Sequence, residues 1–203
     1  MRTKHFFNMV EIMLALGVCA IGVCSIMVLF PVGANATRDA AMETYAAHAA
    51  DQMLHFMKYR ITANNGAHWG AIISDASGEV GGSPPADSDY VLAHLNNSSN
   101  WTTDSAWTNE LKGTVYQNSS NKQIYQIMSH RNAADDKLGD TGFDTAKIDF
   151  RGILTIWKEQ ISVNGSAVPL NMGVKLNVKV AWPAELPATS RQVAYYSLEV
   201  FKP

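Results

Sequence analysis

The sequence predicts an α+β protein, one long N-terminal helix followed by a C-terminal antiparallel β-sheet. Residues 12–33 run without a single charge. Residues 34–62 are alanine-rich and carry apolar side chains at three- and four-residue intervals. Residues 172–182 alternate apolar and polar positions, the period of a half-buried strand, and residues 192–201 follow as a second β-branched and aromatic run.

In chain order, residues 1–6 form a short basic leader with Arg2 and Lys4. Residues 7–33 follow as an apolar transmembrane helix. Its charge-free part, about 22 residues, spans roughly 33 Å as a helix, enough for a bilayer core. A lone carboxylate, Glu11, sits at its mouth. An acid there is costly in lipid and calls for a partner. Gly17, Gly22 and Ser25 are small enough to let another helix approach, or are simply tolerated in a membrane span. Pro31 removes one helical hydrogen bond and is expected to kink or loosen the helix. Because Arg2 and Lys4 precede the span and the next basic residue is Arg38, the positive-inside rule places the N-terminus in the cytoplasm.

Residues 34–62 continue the helix amphipathically, with Met42, Tyr45, Ala49, Met53 and Phe56 forming the apolar stripe. Asn64-Asn65-Gly66 reads as a stop signal. His48, Asp51 and His55 share one side of this helix; solvated flanking residues are the expected reading and a metal site the alternative. Residues 63–203 form the globular head. Its first part, to about residue 122, is rich in Gly, Ser, Asn, Asp and Pro and reads as an irregular excursion with one short helix. Strands are then expected over 122–129, 147–163, 172–182 and 192–201, the last two as a hairpin in a sheet of four.

This pattern resembles the N-terminus of type IV prepilins and type II secretion pseudopilins. A basic leader precedes Phe7, then Asn8, Met9, Val10, Glu11 and an apolar run beginning IMLALGVCAIG. The likeness covers residues 1–60. A strand ending in Ala181-Trp182-Pro183, a loop with Arg191 and a terminal strand also look like the C-terminus of minor pilins and minor pseudopilins. The resemblance implies a pilin-like fold and cleavage between Phe6 and Phe7 by a prepilin peptidase. It also implies N-methylation of Phe7 and assembly through Glu11, which would pair with the N-terminal amine of a neighbouring subunit. Phe6 departs from the glycine that the family carries before the cleavage site. The implied partners are other pilin subunits in a homo- or hetero-filament, the peptidase, the inner-membrane assembly machinery and inner-membrane lipid. The implied location is the bacterial inner membrane, then a periplasmic or extracellular filament.

Two rivals remain. Ala34-Asn35-Ala36 matches a signal-peptidase site, which would release a secreted soluble protein. An uncleaved single-pass anchor is the other. Lipidation is disfavoured, because valine precedes both Cys19 and Cys24.

With 16 basic against 18 acidic residues, the chain offers no basic patch for nucleic acid. Both cysteines lie in the apolar run, so no disulfide framework exists. The loop at 135–144 gathers Asp135, Asp136, Asp140 and Asp144 with two glycines, Gly139 and Gly142. Calcium favours such oxygen-rich loops, but the spacing departs from the EF-hand pattern, and a solvated acidic turn is the expected reading. No cofactor is otherwise expected. Nucleophile elbow, zincin, phosphate-loop and C-x-x-C motifs are all missing from the sequence, so no catalysis is expected.

Overall fold

The computed structural model describes residues 8–73, 79–85, 93–102, 115–130, 138 and 143–203. The chain divides into two compact units, Met1–Glu43 and Thr44–Pro203. Helix α1 (Met9–Gly66) contributes to both.

Within the first unit the described residues are helical from Met9 onward and exposed all round, apart from half-buried Met42. Backbone dihedrals stay helical through Pro31. The Ser25 hydroxyl donates to the Ile21 carbonyl at 2.8 Å, and the Thr37 hydroxyl to the Gly33 carbonyl at 2.9 Å. Such back-bonding keeps polar groups satisfied inside an apolar helix.

In the second unit α1 becomes one-sided. Ala46, Ala49, Ala50, Met53, Leu54, Met57 and Ile61 are buried. Three residues of this stripe are alanines, whose small side chains add little bulk on the buried face of the helix. Departure from the helix falls at the predicted stop signal: Ala63 is extended, and Asn64 and Asn65 adopt φ of 51° and 56°. Asparagine and glycine are the residues that visit this left-handed region cheaply, and Gly66 follows at φ 74°. A short helix, α2 (Trp69–Ile73), comes next, anchored where the Trp69 indole donates to the Leu170 carbonyl at 2.8 Å.

The strands are β1 (Trp101–Thr102), β2 (Val115–Asn118), β3 (Ile124–His130), β4 (Ile148–Glu159), β5 (Ser162–Val163), β6 (Ser166–Ala167), β7 (Gly173–Trp182) and β8 (Gln192–Phe201). Among the described residues six of them form one antiparallel sheet in the order β1-β2-β3-β4-β7-β8, and β5 and β6 form a separate hairpin. The expectation of four strands is corrected to six. The excursion supplies β1 and β2, which are too short to leave a periodic signal. The expected strand over 147–163 is also corrected. It ends at Glu159, and the Asn164-Gly165 turn claims the following residues for the β5–β6 hairpin, with φ of 50° and 81°.

Both faces of the sheet's middle strands are covered, while β8 is exposed on the face away from α1. On the α1 face the register aligns Tyr125, Leu154 and Val180, and Ile156 with Val178. The Tyr45 and Phe150 rings meet here at 5.8 Å. The opposite face carries a second core of Leu95, Trp101, Tyr116, Ile124, Met128 and Ile153, joined by Leu138 and Ala184. A bulge near His130 turns Ile148 toward that second core. Burial on both faces explains why β4 reads as a nearly continuous apolar run.

Leu154 is fully buried at the centre of the α1 face. Leu154→Ala is expected to cost about 2–5 kcal/mol of head stability. Urea titration of the detergent-solubilised chain, followed by tryptophan fluorescence, measures the loss.

Candidate functional site

The site singled out by the sequence is the start of α1. Phe6 and Phe7 lie outside the described residues. Asn8 opens the helix: its carbonyl accepts from Glu11 N at 2.9 Å and Ile12 N at 3.2 Å. Glu11 therefore lies in the first helical turn, where the helix dipole favours a negative charge.

Beyond Glu11 the helix shows apolar side chains on every side. Leu14 is 66% exposed and Phe30 74%. A Cβ at Gly17, Gly22 or Gly33 would meet nothing within 4 Å. Cys19 and Cys24 are free thiols on the same exposed surface. An all-round apolar helix finds its low-energy environment in lipid or among other helices, not in water. Among the described residues, α1 is the one helix long and apolar enough to cross a membrane.

The remaining sequence candidates separate. Pro31 sits in helical backbone, leaving the Met27 carbonyl without its usual i+4 donor. Asp144 is exposed and caps a 3-10 turn, Thr145–Lys147, accepting from Ala146 N at 2.9 Å. Asp135, Asp136 and Asp140 lie outside the described residues. On α1, His48 meets Gln52 at 2.9 Å, and His55 Nδ1 lies 3.3 Å from Asp51 Oδ1. No three His, Cys, Asp or Glu side chains gather into a metal-holding group among the described residues.

Sequence reasoning missed the polar pins of the head. Arg151 is 3% exposed in the middle of β4. Its guanidinium donates to Leu95 O at 2.6 Å and to Asn96 Oδ1 at 2.7 Å. With the Gln126 amide oriented for bonding, its oxygen accepts from Arg151 Nε at 2.9 Å and Nη2 at 2.6 Å. Burial lowers the Arg151 pKa to about 10, against the raising effects of Glu185 and Tyr116, so the group stays charged at neutral pH. Glu185 approaches at 3.8 Å, and the Arg151 carbonyl accepts from Ala184 N at 3.0 Å. One side chain thus fastens two loops to one strand. Lys158 does similar work, donating from a buried position to the Ile73 carbonyl at 2.7 Å. The available signal was a lone cation inside an apolar strand, since such a group persists only where acceptors converge.

Arg151→Met is expected to leave those acceptors unsatisfied and to cost about 1–3 kcal/mol. Hydrogen exchange at the Leu95 and Asn96 amides, faster in the variant, locates the loss.

Comparison of the chain with protein-family models, curated proteins and solved structures found no match.

Proposed function

We propose that this chain is a structural subunit, of the minor kind, in a filament of the type IV pilus or type II secretion pseudopilus class. The observation that carries the reading is the composition of α1. One continuous helix is apolar and exposed in its first part, bears Glu11 as the sole charge between Lys4 and Arg38, and is one-sided where the head begins. A simple anchor needs only the apolar length. A carboxylate in the first turn adds a charge that must be compensated once the helix leaves water.

In this reading the helix resides in the inner membrane and then moves into a bundle of like helices. Each transfer keeps the apolar surface out of water. Glu11 sets the register, because in a low-dielectric bundle it is stable only opposite a cation. The N-terminal amine of a neighbouring chain, freed at Phe7, is a cation of suitable size at the mouth of the same bundle. Continuity of α1 through Ala34, Asn35 and Ala36 weighs against release by signal peptidase, which would cut inside a helix. Phe6 favours the second reading, an uncleaved single-pass anchor, because a bulky ring stands beside the scissile bond.

Glu11→Ala is expected to leave the protein membrane-bound while lowering its recovery in sheared filaments by roughly tenfold or more, since the partner cation is left unpaired. Quantitative immunoblotting of membrane and filament fractions reads the effect. Unchanged recovery would remove Glu11 from assembly.

A further inference from the structure

Among the described residues β8 is hydrogen-bonded on one side only. It pairs with β7 from Gly173↔Phe201 to Trp182↔Gln192 with no register shift, and it is the last of the described strands in the sheet order. Just beyond, Lys202 N donates to Met172 O at 2.9 Å, which makes that pair a hydrogen-bonded one. Hydrogen-bonded and open pairs alternate along an antiparallel ladder. Val193, Tyr195, Ser197, Glu199 and Phe201 therefore hold the open positions, and their backbone N–H and C=O groups point out from the sheet edge. The side chains of these same residues lie on the face opposite α1 and are exposed, Tyr195 at 68% and Phe201 at 58%. The usual protections of an edge strand are missing: β8 has no proline, no bulge and one charge, Glu199.

The register also specifies what would fit. Across the sheet Glu159, Lys175 and Glu199 stand in one row, with Lys175 Nζ 3.9 Å from Glu159. Signs alternate along that row, and the next position favours a base. Trp157, Asn177 and Ser197 form the adjoining row, which ends polar. Ile153, Ala181 and Val193 form an apolar row, and Gly173 with Phe201 forms another.

We propose that the β8 edge docks an extended segment of another polypeptide, with Lys or Arg facing Glu199 and apolar residues facing Val193 and Phe201. Backbone ladder bonds supply the affinity and the side-chain rows the specificity. A second copy fits less well. Self-pairing about Ser197 places Tyr195 opposite Glu199, and the register that brings Arg191 there uses a buried guanidinium already donating to Leu186 and Ala184 carbonyls. The proposal does not rest on the filament reading, since it uses the head alone.

The test uses the full chain in detergent micelles and two synthetic strand peptides. Both carry valine facing Val193 and Phe201, and serine facing Ser197. One has lysine facing Glu199 and the other glutamate. The lysine peptide is expected to bind by fluorescence anisotropy and to slow hydrogen exchange at the five outward amides, with its twin roughly tenfold weaker. Ser197→Pro removes only an outward N–H, so it should abolish binding with little change in melting temperature. Glu199→Lys should invert the peptide preference, and that inversion decides the matter if the proline variant misfolds. Equal binding of both peptides, binding unaffected by Ser197→Pro, or absence of amide slowing overturns the proposal. So does a concentration-dependent dimer whose outward amides are already protected, because the occupant would then be a second copy.

Discussion

Everything in this chain follows from the need of α1 to keep apolar surface from water. A helix of this composition has no stable exposed state, because burying apolar area is the main favourable term in folding and association. Two different solutions are written along one helix. From Ala46 onward the apolar residues narrow to a stripe, and the chain supplies its own cover in the sheet. Up to Gly33 they surround the helix, and there the favourable cover is lipid or other chains. In the proposed filament Glu11 would make the second solution selective, because the hydrocarbon core of a bilayer satisfies Leu14 or Phe30 but not a carboxylate.

The head is organised around β4, which is buried on both faces. Its α1 face is packed with Phe150, Leu154 and Ile156, the other with Ile153 and Thr155. A strand covered twice leaves little room for charge, yet it holds Arg151 and Lys158. Each is tolerated because acceptors far away in sequence meet it, Leu95 O and Asn96 Oδ1 for Arg151 and Ile73 O for Lys158, and each therefore ties a distant segment to β4. Polar pins hold the loops and apolar packing holds the sheet. Among the described residues the outward ladder of β8 has no partner strand.

Legibility in the sequence tracked the range of the forces involved. The apolar run, the alanine-rich stripe, the Asn64-Asn65-Gly66 stop and the alternation in β7 are local signals, and each of these elements stands where the sequence placed it. β1 and β2 escaped notice because two and four residues among serines and asparagines carry no period. The break after Glu159 was hidden because Ile161 continues the apolar run, although Asn164-Gly165 marked a hairpin. The Arg151 network was legible only as a cation inside an apolar strand. Its acceptors lie 55 and 56 positions away, and nothing local names them. Glu11 is the converse case: the residue is conspicuous in the sequence, whereas its implied partner belongs to another chain.

The most direct test of the account is the intact mass of the mature protein extracted from its native membrane. A chain that begins at Phe7 and carries one extra methyl group is the predicted result, since only a processed amine can meet a neighbouring Glu11. A chain beginning at Thr37 would have lost the apolar half of α1 and would contradict the filament account. A chain beginning at Met1 would contradict it as well, leaving Phe6 as the block to processing and the helix as a plain anchor.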